Sequence, residues 1–202
     1  MRLNYKQRQE RIAEVNRQAW ENVDRSPEVI RENYDKYSRI PIEIIACPLG
    51  KAVNHGGLLR IAEAFMLERV TFSYEEDQYN DFSGHQGSIR WQPYRWMNVE
   101  EAVENAKGRQ ILALTLDDRA VSFRNVDLRY PVSLIVGSEL DGIPSEIVAK
   151  AEQSVAIPMY GLMGSLNVAT ATGIVIEHFA HEYARTHEFE PLREVSQKLL
   201  KQ

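Results

Sequence analysis

The sequence of 202 residues contains a single cysteine, Cys47, so no internal disulfide can form. A lone cysteine is typical of a protein kept in a reducing compartment, and we therefore expect a cytoplasmic location. Because Cys47 lies in an apolar stretch, we expect a buried, inert thiol rather than a nucleophile.

Long apolar runs are also missing, and the polar N-terminus lacks the apolar stretch of a signal peptide. We therefore expect no membrane partner. The sequence has no Gly-x-Gly-x-x-Gly motif and no Walker loop, which disfavours a Rossmann dinucleotide enzyme or an NTPase. His178 and His181 do not follow the His-Glu-x-x-His pattern, so we expect a solvated helix face there and no metal site.

Excess positive charge is lacking as well. The net charge of −5 argues against indiscriminate nucleic-acid binding. The hydrophobic fraction of 44% and the charged fraction of 26% are ordinary for a globular protein. Residues 1–40, however, hold nine Lys and Arg against seven acidic residues, so this segment is a candidate for a local positive surface.

The length predicts one domain with terminal extensions. The first forty residues are polar, and their few apolar side chains recur at helical spacing until Pro41 breaks the pattern. A short helix is also predicted near Pro191. The predicted organisation is a helical N-terminal extension with possible RNA contact (1–40), a main domain (41–188) and a C-terminal helical tail (189–202).

From Ile42 onward, apolar strands alternate with helices. The predicted strands are Ile42–Cys47, Val70–Tyr74, Ile111–Leu116, Pro131–Val136 and Ser154–Ile157. The predicted helices are Asn54–Leu67, Asn98–Ala106, Pro144–Ala151 and Leu166–Arg185. Near-continuous apolar strands in such an order predict an α/β fold, with a mostly parallel sheet and helices on both faces.

Three glycine-containing segments each follow an apolar strand. Asn54-His55-Gly56-Gly57-Leu58-Leu59-Arg60 opens a helix, Val136-Gly137-Ser138-Glu139-Leu140-Asp141-Gly142 ends a strand, and Ile157-Pro158-Met159-Tyr160-Gly161-Leu162-Met163-Gly164-Ser165-Leu166-Asn167-Val168 opens the longest helix. Turns of this kind place backbone N–H groups around a small molecule, although a capped junction without a ligand is the alternative for each segment alone. Because parallel strands end at one edge of a sheet, we expect one shared pocket.

The order of these motifs, over about residues 42–185, resembles the SpoU (TrmH-like) branch of the SPOUT RNA 2′-O-methyltransferases. The resemblance implies a trefoil knot in the C-terminal half and S-adenosyl-L-methionine as the cofactor. It also implies a homodimer whose substrate is a ribose 2′-hydroxyl of structured RNA. The helical extension favours tRNA over rRNA. No metal is implied.

The resemblance also assigns site residues by position. The implied catalytic set is Arg60, Asn54, Glu139, Ser165 and Asn167, and the implied cofactor-binding set is Thr115, Gly137, Ile157 and Leu166. Arg60 is expected to be essential, either as the proton acceptor or, more easily for a guanidinium, by orienting a phosphate or stabilising negative charge. The alternatives are helix capping for Asn54, a solvated turn for Glu139 and core packing for the apolar residues.

Some features depart from the family pattern or leave its function open. Ala169 stands where serine is common, and Met66 where glycine is frequent. Residues 79–96 interleave aromatic and basic side chains, which either stack unpaired bases or pack on each other. The main alternative function is a non-catalytic RNA-binding protein of the same fold. A small-molecule methyltransferase is disfavoured by the arginine-centred motif.

Overall fold

The computed structural model describes residues 33–73, 84–138, 140–192 and 196–198. The predicted helices of the N-terminal extension lie almost entirely outside the described residues, and so does Glu139. Among the residues described, no helix combines the length and the apolar character needed to cross a membrane.

The described chain alternates strands and helices, as predicted. The strands are β1 (Ile40–Ala46), β2 (Leu67–Phe72), β3 (Tyr94–Trp96), β4 (Gln110–Leu114), β5 (Val121–Ser122), β6 (Val132–Val136) and β7 (Gln153–Ala156). The helices are α1 (Ala52–Ala64), α2 (Val99–Asn105), α3 (Ser145–Val148) and α4 (Val168–His187). The strands form one sheet in the order β3-β2-β1-β6-β4-β7-β5, and every pair is parallel, which confirms the predicted α/β class.

Both faces of the sheet are apolar because helices cover both. Ile42 and Ile44 of β1 belong to the core cluster that also contains residues of α1 and α4. Ile45 belongs to a second cluster, which contains residues of α2 and α3. Residues that alternate along β1 are therefore buried on opposite faces, and this explains why the strand reads as an apolar run and not as an alternating pattern.

Small residues bring α1 and α4 close together. A Cβ atom added at Gly57 would lie 2.9 Å from the Cβ of Ala169, and one added at Gly173 would lie 3.5 Å from the Cδ1 of Ile61. The first distance is shorter than a normal carbon–carbon contact, so the helices could not approach this closely with a side chain at Gly57. Ala169 thus lies at the contact between the two helices.

Glu43 is the exception in this apolar sheet, since it lies in the interior strand β1, between β2 and β6, and is 1% exposed. Its Oε1 accepts hydrogen bonds from the Thr71 hydroxyl at 2.6 Å and from Nη2 of Arg95 at 3.1 Å. Nε of Arg69 lies 3.6 Å from the same oxygen, and Nε of Arg109 lies 3.9 Å from Oε2. These partners offset the cost of burying the carboxylate charge.

The element boundaries differ from the predictions in a few places. β1 begins at Ile40 and includes Pro41, close to a shift in its pairing with β2, where a proline is tolerated. α1 ends at Ala64, and Met66 has a positive φ of 52°, so β2 begins earlier than predicted. β3 and β5 were not predicted because three and two residues are too short to show a pattern.

The described part of the aromatic segment packs against the domain. The ring of Trp91 lies 5.3 Å from that of Tyr34, and the ring of Trp96 lies 5.2 Å from that of Phe72. Tyr94 is 38% exposed. Tyr79 and Phe82 lie outside the described residues, so RNA contact by this segment stays a prediction.

Candidate functional site

The three glycine motifs lie at the same edge of the sheet. The first follows β1, the second follows β6 and the third follows β7, and in the sheet only β4 separates β6 from β7. Because all these strands are parallel, their carboxyl ends meet there, where open α/β sheets bind ligands.

A cavity of about 370 Å³ lies at this edge, between the ends of β4, β6 and β7 and the start of α4. Its lining includes all four residues of the predicted cofactor set, namely Thr115, Gly137, Ile157 and Leu166. Ser165 of the predicted catalytic set lines it too. The structure thus brings these residues together around a space within the usual size range of small-molecule pockets, while their roles stay predictions.

Gly137 is required by the fold of the second motif. A Cβ added there would lie 2.1 Å from the backbone C and O of Gly142, which is far inside any allowed contact. The turn closes through a bridge between Ser138 and Gly142, and the φ of Gly142 is +65°. The cavity wall at this point is therefore built from main chain packed against main chain.

Asn54 and Asn167 connect the first motif to the third. Nδ2 of Asn167 donates a hydrogen bond to Oδ1 of Asn54 at 2.9 Å. Oδ1 of Asn167 accepts the backbone N–H groups of Ala169 and Thr170, at 3.1 and 3.2 Å, and so caps α4. Asn54 is 2% exposed and lies inside α1, whose N-cap is Lys51, so the capping alternative for Asn54 is wrong.

Arg60 is not brought to the cavity. It lies on α1, is exposed to solvent and is not among the residues that line the cavity. Glu139 falls between Ser138 and Leu140, both of which line the cavity, but it is itself outside the described residues. Within one chain, the structure thus unites the cofactor set with Ser165 and pairs Asn54 with Asn167.

A second cavity of about 370 Å³ adjoins the first and was not predicted. The two share wall residues, among them Leu116, Ile157 and Met159. Asp117 lines only the second, and its carboxylate accepts hydrogen bonds from the Ser154 hydroxyl at 2.7 Å and the Arg119 backbone N–H at 2.8 Å. The bond from Ser154 lowers the pKa of Asp117. The signal in the sequence was an acidic residue directly after the predicted strand Ile111–Leu116.

The described residues contain no group of three or more side chains suited to hold a metal ion. Cys47 is buried, as predicted, and burial raises its pKa to about 12, which disfavours the nucleophilic thiolate. That the thiol is inert stays a prediction.

Comparison with known proteins identifies similar sequences and folds. A model of the SpoU rRNA Methylase family matches residues 29–177. The tRNA (guanosine(18)-2'-O)-methyltransferase of Escherichia coli (strain K12) is 34% identical over 130 residues, which cover 62% of this chain and 57% of the relative. The chain spans about half the length of the curated relatives it matches.

Two solved structures show the same fold. One is the Aquifex aeolicus TrmH/SpoU tRNA modifying enzyme, with 28% identity and a TM-score of 0.70, covering 86% of this chain and 95% of that chain. The other is an AdoMet-bound rRNA methyltransferase from Sinorhizobium meliloti, with 27% identity and a TM-score of 0.64, covering 76% and 62%. The stretch matched by the family model contains every residue of the two predicted site sets.

Proposed function

The chain belongs to the SpoU rRNA methylase family, and from this membership we propose that it transfers a methyl group from S-adenosyl-L-methionine to a ribose 2′-hydroxyl of RNA. A guanosine of tRNA is the favoured substrate, since the curated relatives are named as tRNA guanosine 2′-O-methyltransferases. The observation that carries the proposal is the cavity in which the residues expected to bind the cofactor lie together.

The cavity suits the cofactor in size and chemistry. Ile157 and Leu166 offer apolar surface for an adenine ring, and Thr115 adds a hydroxyl to the lining. The turn at Gly137 exposes main chain where no side chain fits. When bound, the cofactor would supply the methyl group of its sulfonium. The ribose oxygen would bond to that carbon as the carbon–sulfur bond breaks, and the hydroxyl proton would pass to water.

Arg60 acts on the RNA in this proposal. A guanidinium stays protonated in proteins, so its role is to hold a phosphate or to stabilise negative charge on the reacting oxygen. Because Arg60 is exposed and outside the cavity of its own chain, it meets the site from the RNA side or from a second copy. The hydrogen bond between Asn54 and Asn167 holds the first and third motifs together. Glu139 and Ser165 are the other members of the proposed catalytic set.

A homodimer is part of the proposal. Several large apolar side chains are exposed around the cavities, and Leu140, Tyr160 and Leu162 are at least 92% exposed. Exposed apolar surface of this kind marks interaction sites. Light scattering on wild type and on Leu162→Asp tests the dimer, which the variant should weaken; equal masses for both at the monomer value would contradict it.

Predictions that are still untested also belong to the proposal. The family resemblance implies the trefoil knot of the C-terminal half, and the sequence itself predicts RNA contact by residues 1–40, the division at Pro41 and the cytoplasmic location. The knot is supported by likeness to solved members of the family, and an experimental structure traced through residues 139–168 tests it. RNA contact by residues 1–40 is tested by tRNA binding before and after exchange of their basic residues for alanine.

Calorimetry with S-adenosylmethionine tests the cofactor assignment. Leu166→Arg places a long cation in the cavity wall and should abolish binding. Val53→Arg is the matched control, because Val53 is exposed but does not line the cavity. Binding that survives Leu166→Arg would contradict the proposed pocket. No binding by wild type, with or without RNA, would favour the non-catalytic RNA-binding alternative.

A further inference from the structure

The second cavity lies where the proposed reaction requires space for part of the RNA. A ribose that receives a methyl group must lie beside the cofactor, so the base attached to it needs space that adjoins the cofactor cavity. The second cavity meets this requirement because the two cavities share Ile157, Met159 and Gly164. Sequence-specific recognition of RNA commonly uses unstacked bases, which are splayed out, stacked on side chains and hydrogen-bonded along their edges.

The walls of the second cavity suit a base. Pro158, Met159, Met163 and Val121 are among the lining residues. Apolar and sulfur-containing side chains pack against the faces of an aromatic ring. Asp117 is the charged member of the lining, and Ser122 adds a hydroxyl.

The Asp117 carboxylate is held in place but retains acceptor capacity. Oδ2 accepts the Ser154 hydroxyl and Oδ1 accepts the Arg119 backbone N–H. A carboxylate has about four acceptor positions, so further donors can bind on the cavity side. An aspartate is ionised at neutral pH, and the Ser154 hydrogen bond lowers the pKa of Asp117 further.

The chemistry of this group discriminates among bases. Guanine presents two adjacent N–H donors on its Watson–Crick edge, from N1 and from the exocyclic N2. Adenine, cytosine and uracil each place an acceptor beside a donor there. A carboxylate only accepts hydrogen bonds when ionised, so it matches guanine and meets an acceptor on every other base.

We propose that the second cavity binds the base of the nucleotide to be methylated and that Asp117 selects guanine through its N1 and N2 donors. This inference rests on the proposed function and adds a base-recognition site to it. Asp117 is a specificity residue here and takes no part in the transfer of the methyl group.

The test compares tRNA transcripts that carry guanosine or inosine at the methylated position. Inosine keeps the N1 donor and lacks the N2 amine. The wild-type protein should prefer guanosine by about ten- to a hundredfold in kcat/KM, the range for loss of one specific base contact. Asp117→Asn, which keeps an oxygen for Ser154, should reduce this preference to near onefold. The matched control is Asp118→Asn, an exposed neighbour that does not line either cavity and should keep the preference.

Two further readouts separate this inference from the proposed function. Affinity for S-adenosylmethionine should be unchanged in Asp117→Asn; its loss, with the guanosine preference retained, would place the cofactor's ammonium group at Asp117 and overturn the inference. Binding of guanosine and inosine 5′-monophosphates, followed by NMR, needs no turnover. If wild type methylates neither RNA, the proposed function fails, and an Asp117-dependent preference for the guanosine nucleotide still decides the base site. Equal binding of the two nucleotides by wild type, or measurable methylation of the two RNAs with equal kcat/KM, overturns the inference.

Discussion

Replacement of Asn167 by alanine tests whether the first and third motifs depend on one side chain. Asn167 caps α4 and also donates to the buried Asn54. Asn98 is a natural control, because it caps α2 with the same geometry, accepting the N–H groups of Glu100 and Glu101 at 2.9 and 3.3 Å. Both asparagines therefore form the same type of cap, each on its own helix. The difference in stability between the two alanine variants then measures the hydrogen bond that links the two motifs.

The expected magnitudes follow from these contacts. Loss of an asparagine cap costs about 1 kcal/mol, which is the effect expected for Asn98→Ala. Asn167→Ala also removes a hydrogen bond to a buried amide, which adds about 1–2 kcal/mol. The total of about 2–3 kcal/mol corresponds to a Tm lowered by about 4–12 °C in a chain of this size, against about 2–4 °C for the control.

Thermal and urea unfolding of both variants measure the difference. Asn167→Asp adds a third point, since its carboxylate keeps the cap but cannot donate to Asn54. It should lose about 1–2 kcal/mol, the part due to the bond between motifs. Equal destabilisation by Asn98→Ala and Asn167→Ala would mean that the hydrogen bond between Asn54 and Asn167 contributes nothing to stability, contrary to this prediction.

Three other substitutions or treatments have defined outcomes. Gly137→Ala should abolish cofactor binding in calorimetry, because its Cβ would overlap backbone, whereas Gly50→Ala, with no atom within 4 Å, should bind normally. Gly173→Ala should stabilise by about 0.5–1 kcal/mol through helix propensity, whereas Gly57→Ala should destabilise in the same urea assay because of its 2.9 Å contact; the same sign for both would contradict the packing. Cys47 should react with a thiol reagent at pH 8 only after unfolding, because burial raises its pKa to about 12; rapid labelling of the native protein would contradict this.

The sheet and its functional edge could be predicted from the sequence because they depend on local patterns. Apolar runs marked the interior strands, and glycine with asparagine marked the junctions. Asn167 follows the same logic, since a cap is formed by residues adjacent in sequence. The short strand β5 could not be predicted, because two residues owe their conformation to pairing with β7.

The tertiary contacts could not be predicted from the sequence, because they join residues that are far apart in the chain. Asn54 has the residue type and location of a cap, but α1 begins earlier, and its side chain is buried against Asn167 at a separation of 113 residues. Glu43 is an unexpected charge in an apolar strand, and only the folded sheet places its partners Arg95 and Thr71 beside it. Asp117 acquires meaning only through the cavity that β5 and the third motif close around it.

Methyl transfer to a ribose oxygen is tested most directly by the identity of the product. The protein, labelled S-adenosylmethionine and unmodified tRNA are incubated, and the RNA is digested to nucleosides and separated. We expect a 2′-O-methylnucleoside with wild type and with Arg129→Ala, since Arg129 is exposed and lines neither cavity. Arg60→Ala should reduce activity by at least about a hundredfold, as for removal of one group that stabilises transition-state charge. A base-methylated product, no labelled nucleoside, or full activity of Arg60→Ala would contradict the proposed reaction.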